Sequence, residues 1–152
     1  MATTVSLAEF KSLAPAAYEA LLTLSQAAQA GGIEASLLEL VMTRVSQVNG
    51  CLFCAQMHTD AARHHGIRQR QLDQLSRWHA SEEFSAREKA ALTWADALSF
   101  VQHGHFDPVL MDSLQPALTR HELVLLSTCV IAIHGWNRLG IGFGWPVAPA
   151  KR

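Results

Sequence analysis

The sequence predicts an all-α fold, a single-domain helical bundle of six or seven helices. Three features carry that expectation. Apolar residues recur at helical spacing through most of the chain. Helix start and stop signals punctuate it at short intervals. No segment alternates apolar and polar residues as a half-buried strand would. With 152 residues and 49% hydrophobic content, one domain spanning 1–152 can bury a sizeable core.

The first segment, Leu7 to Ala30, places Pro15 in the first turn of a helix running to about Gln29. Phe10, Leu13, Tyr18, Leu21, Leu22 and Leu24 supply its apolar side, and Gly31-Gly32 stops it. The second helix, Glu34 to Val48, has an apolar face of Leu37, Leu38, Val41, Met42, Val45 and Val48. Glu39, Thr43 and Ser46 form a narrow polar stripe on it. The third runs from Cys51 to His65 and is closed by Gly66. The fourth, Arg68 to His79, reads as a covering helix with one face outward. Ser85 and Glu88 have capping-box spacing and open a fifth helix that ends by Gly104. Asp107-Pro108 starts a short helix to Leu114. Thr119 and Glu122 repeat the capping box before the most apolar helix, Leu123 to about Leu139. The tail, 140–152, is rich in glycine and proline and reads as irregular. Its Phe143 and Trp145 suggest surface reserved for another subunit, with Asn137 and Arg138 as polar contacts there, or a tail folded back on its own domain.

A net charge of −1 and the absence of a basic stretch argue against nucleic acid as a partner. No uninterrupted apolar run reaches the roughly 18 residues of a bilayer span, so no membrane partner is expected. The start of the chain lacks a basic region followed by an apolar run, and the expected location is cytoplasmic. Three cysteines fit an intracellular protein with a catalytic pair and a bystander better than a secreted disulfide scaffold.

The chemistry concentrates in Asn49-Gly50-Cys51-Leu52-Phe53-Cys54-Ala55-Gln56-Met57-His58. Cys51, Cys54 and His58 stand at i, i+3 and i+7, one face of a helix. A thiol in a first helical turn beside an imidazole has its pKa lowered toward neutrality. A CxxC pair can be a redox dithiol, half of a zinc site, or chance. A structural zinc site wants four ligands, and the third cysteine, Cys129, sits in an apolar stretch as a core thiol. The redox reading is favoured; the alternative is a metal-binding or non-redox helical module whose dithiol is vestigial or senses. Glu39, twelve residues before Cys51, faces the thiols if the two helices pack antiparallel, and a partly buried carboxylate suits a general base. His64, His65, His79, His103, His105 and His121 read as surface or capping residues, and His134 as a satisfied core or interface histidine.

Glutamate, spacer and Cys-x-x-Cys-x-x-x-His together resemble the signature of the alkylhydroperoxidase D-like proteins of the carboxymuconolactone decarboxylase superfamily, over about residues 37–94. The resemblance implies an all-helical bundle, assembly as a homo-oligomer (trimer or hexamer), and thiol-dependent reduction of small-molecule organic hydroperoxides without a bound cofactor. By position, Cys54 would be the peroxidatic thiol, Cys51 the resolving one, and Glu39 with His58 the proton relay. The reductant implied is a thiol, in the family a lipoyl-bearing protein. One departure is local: the best-known members have a histidine before the second cysteine, and this chain has Phe53.

Overall fold

A computed structural model describes residues 4–101, 104 and 107–149. Its described residues form eight α-helices and one 3-10 helix, with no strand among them. The helix number exceeds the expected six or seven because the first segment holds two. Pro15 disfavours the helical conformation at Ala14, which sits at φ −136°, ψ 62°. The chain therefore breaks into α1 (Leu7–Leu13) and α2 (Pro15–Ala30). Leu13, expected on the apolar side, is 72% exposed at that break.

Helix α3 (Ala35–Asn49) ends at Gly50, whose φ of 74° is the left-handed cap that only glycine adopts cheaply. Helix α4 (Leu52–His64) follows with Cys51 as its N-cap, one residue outside the helix expected to begin there. The covering segment is a short α5 (Gln69–Gln74) continued by the 3-10 helix Leu75–Ala80, kinked at Arg77. Helix α6 (Ala86–Ser99) and α8 (Arg120–Gly142) both begin with the capping boxes read from the sequence, and α7 (Pro108–Leu114) begins on the expected Asp107 cap. His103 and His105 lie outside the described residues.

α8 is the central helix. It packs on α2, α3 and α6, and its Leu123, Leu126, Val130 and Ile133 are almost wholly buried. With 23 residues and an 18-residue window of mean hydropathy 1.3, it is long and apolar enough to cross a membrane by length and composition. Ser127 and Thr128 interrupt its apolar run. Both hydroxyls bond backbone carbonyls of the helix itself, Leu123 O and Leu125 O, so they do not break it. The polar stripe of α3 is also inside: Thr43 is 1% exposed and Ser46 wholly buried. Thr43 donates to Glu39 O at 2.7 Å, and Ser46 Oγ accepts from Asn137 Nδ2 of α8 at 3.0 Å.

Ion pairs tie the covering elements to this frame. Arg44 of α3 makes a two-pronged bond to Asp96 of α6 at 2.8 and 2.9 Å, and Trp78 Nε1 donates to the same carboxylate at 3.1 Å. Arg87 bridges Glu34 and Glu122. The Arg87 guanidinium, helped by the Thr119 amide, holds the Glu122 carboxyl down at about 2, below its ordinary 4.5, and Arg87 lowers Glu34 in the same way. A depressed folded-state value means stability that is complete above the unfolded pKa and lost as pH falls toward the folded one. Glu122→Gln is expected to make the fall of the urea midpoint between about pH 5 and about pH 2 shallower than in the unsubstituted protein. Equal slopes in the two proteins would contradict this.

Candidate active site

The turn at Gly50 folds α4 back along α3, and this brings Glu39 and His58 together. His58 Nδ1 lies 2.8 Å from Glu39 Oε2, with both side chains mostly buried. A carboxylate only accepts, so Nδ1–H donates, and in the neutral form of the ring Nε2 carries the lone pair. Cys51 and Cys54 are joined as a disulfide across the first turn of α4, their Cα atoms 5.4 Å apart. The Cys51 sulfur also accepts from the Cys54 amide at 3.3 Å, the N-cap interaction of that helix.

A cavity of about 290 Å³ adjoins this group. Cys54, Glu39 and His58 are in its wall, and Cys51 is not. Most of the remaining wall is apolar, including Leu22, Leu38, Met42, Phe53, Trp136 and Trp145. All four residues singled out in the sequence are therefore adjacent, but only one sulfur faces the space a small molecule can enter.

Behind the disulfide, α8 comes unusually close. A Cβ on Gly140 would stand 3.0 Å from Cys51 Sγ, 3.4 Å from Cys54 Sγ and 3.3 Å from Trp145 Cε3. Position 140 was expected in an irregular tail; instead the helix continues to Gly142, and the tail folds back over it. Trp145 is buried against Phe53, at a ring distance of 5.5 Å, and its Nε1 donates to Val5 O at 2.9 Å. Asn137, expected at a subunit surface, is fully buried and accepts from Asn49 Nδ2 at 2.9 Å. Arg138 is exposed. These residues carry no motif. The only sequence signal was glycine spaced through an otherwise apolar helix end.

His134 is satisfied, as expected. Its Nδ1 lies 3.0 Å from Asn49 Nδ2 and 3.0 Å from Arg138 Nη1, and its Nε2 3.0 Å from Ser99 Oγ. Burial first, and the Arg138 charge second, push its pKa down, so the neutral ring accepts at Nδ1 and donates at Nε2. Cys129 is fully buried, and burial, with a smaller contribution from the Glu39 charge, pushes its thiol up to about 12. It is an inert core thiol. His64, His65, His79 and His121 are exposed. Among the described residues no three His, Cys, Asp or Glu side chains converge as a metal site.

The model of the carboxymuconolactone decarboxylase family matches residues 15–97, more than half of the chain. The chain belongs to the carboxymuconolactone decarboxylase family. A relative in sequence is the uncharacterised protein YdfG of Bacillus subtilis (strain 168), 28% identical over 132 residues, 87% of this chain and 90% of that one. The crystal structure of ATU0492 from Agrobacterium tumefaciens, a protein of unknown function described as a candidate antioxidant defence protein AhpD, superposes with a TM-score of 0.88. It is 27% identical and the match covers 97% of this chain and all of that one. The debrominase Bmp8 in its apo form shares the fold at a TM-score of 0.78 and 18% identity, covering 90% of this chain and 74% of that one.

The close approach at Gly140 gives a direct test. Gly140→Ala forces a methyl group against the disulfide and the Trp145 ring, and is expected to lower the unfolding free energy of the oxidised protein by about 1–3 kcal/mol. Gly142→Ala, with nothing within 4 Å of its Cβ, is expected to be neutral or slightly stabilising. Urea denaturation of both variants checks the contrast, and equal effects would contradict the packing.

Proposed function

We propose that this family member is a thiol-dependent peroxidase that reduces organic hydroperoxides through its Cys51–Cys54 dithiol. The observation that supports this most is the placement of Cys54 in the same apolar cavity wall as the hydrogen-bonded Glu39–His58 pair. Glu39 fixes His58 as a base through Nδ1, leaving Nε2 to take the Cys54 proton once the dithiol is reduced. The start of α4 favours the resulting thiolate. The thiolate attacks the outer peroxide oxygen, the O–O bond breaks, and the alkoxide takes up the relayed proton and leaves as an alcohol. Cys54 is left as a sulfenic acid. The Cys51 thiol displaces its hydroxyl as water and forms the disulfide. A dithiol reductant, of the lipoyl-bearing type, restores both thiols by exchange and becomes a disulfide itself. No bound cofactor enters this cycle, and a reducing compartment such as the cytoplasm suits it.

The apolar lining suits the alkyl part of such a substrate. Phe53 takes the place of the histidine found in the best-known members and packs against Trp145, so the relay here uses His58 alone. Val124 and Ile131, seven residues apart on α8 and 62% and 61% exposed, favour a homo-oligomer, a trimer or hexamer.

Steady-state peroxidase assays with cumene hydroperoxide and dihydrolipoamide test the roles. Cys54→Ser is expected to abolish turnover, and Cys51→Ser to stop after one event with a dimedone-reactive sulfenic acid on Cys54. His58→Ala should reduce kcat/KM on the order of 100-fold and Glu39→Gln about tenfold. Single cysteine variants as active as the parent protein would sink the proposal.

A further inference from the structure

We propose that Trp145 is the residue that sets which molecules reach Cys54, by size. Cys54 is 1% exposed, and the cavity is the space it faces. The Trp145 ring belongs to that wall, and its Cε3 and Cys54 Sγ both lie within 3.4 Å of a single point, the Cβ position of Gly140. The indole therefore has its nearest carbon no more than about 6.7 Å from the sulfur. Three restraints hold it there. Its backbone N–H donates to Gly140 O at 2.9 Å, its Nε1 donates to Val5 O at 2.9 Å, and its ring centroid lies 5.5, 6.5 and 6.4 Å from those of Phe53, Trp136 and Phe143.

The tail that carries it is positioned from both sides. Gly144, at φ 65°, makes the turn after α8, and Gln56 Nε2 of α4 donates to Ala148 O at 2.9 Å. Val5 and Leu7 come from the opposite end of the chain, and Leu7 also lines the cavity. Trp145 thus ties the first and last described segments together in the cavity wall that also holds Cys54. Removing the indole would open space at that sulfur while leaving Glu39, His58 and the disulfide turn in place.

The test is alkylation of the reduced protein, read at each cysteine by mass spectrometry, with iodoacetamide as the small probe and N-(1-pyrenyl)maleimide as the bulky one. Alkylation needs no turnover, so its outcome is independent of which oxidant the dithiol consumes. In Trp145→Ala the bulky-to-small rate ratio at Cys54 should rise about tenfold, and in Trp145→Phe about two- to threefold. Cys129, fully buried and outside the cavity wall, should stay unreactive in both variants. An unchanged ratio in both variants overturns the assignment. So does a matching rise at Cys129, which would mark general loosening of the fold.

Discussion

The site depends on the hydrogen bond between His58 and Glu39, and that bond depends on one turn. Glu39 precedes Gly50 by eleven residues and His58 follows it by eight. At a rise of about 1.5 Å per residue these distances are roughly 16 and 12 Å along two antiparallel helices. The remaining offset is within the reach of a glutamate and an imidazole, and the contact closes at 2.8 Å. A β-branched or bulky residue at position 50 would strain the left-handed cap that reverses the chain. The same turn makes Cys51 the N-cap of α4, so a single backbone reversal sets both the Glu39–His58 contact and the Cys51–Cys54 disulfide.

Burial disfavours a thiolate in this interior, and desolvation pushes Cys129 up to about 12. Cys54 is as buried, at 1% exposure, yet differs in two respects. It stands in the first turn of a helix, where backbone N–H groups favour negative charge, and it shares a cavity wall with an imidazole held by a carboxylate. Position within the fold, more than residue type, separates the sulfur to which the proposed cycle assigns the attack from the buried core thiol.

Much of this was legible in local signals. The two capping boxes, the Asp107 cap, the glycine stops and the Cys54–His58 register are each set by a few neighbouring residues, and each stands where the sequence put it, while Cys51 caps the helix from outside. Glu39 was legible only as a carboxylate in an apolar helix, because its partner lies across a turn. The rest was not legible for tertiary reasons. Gly140 looks like a breaker, but packing against two sulfurs and an indole holds it in the helix. Ser46, Thr43 and Asn137 look like surface residues, but they satisfy each other or the backbone inside. Trp145 finds its place through Val5, 140 residues earlier in the chain.

The most direct measurement is a thiol count on the fully reduced protein before and after one equivalent of an organic hydroperoxide per chain. The account predicts a fall from three titratable thiols to one under denaturing conditions, with Cys129 the survivor and one equivalent of alcohol released. Three thiols remaining, with the hydroperoxide intact, would contradict it.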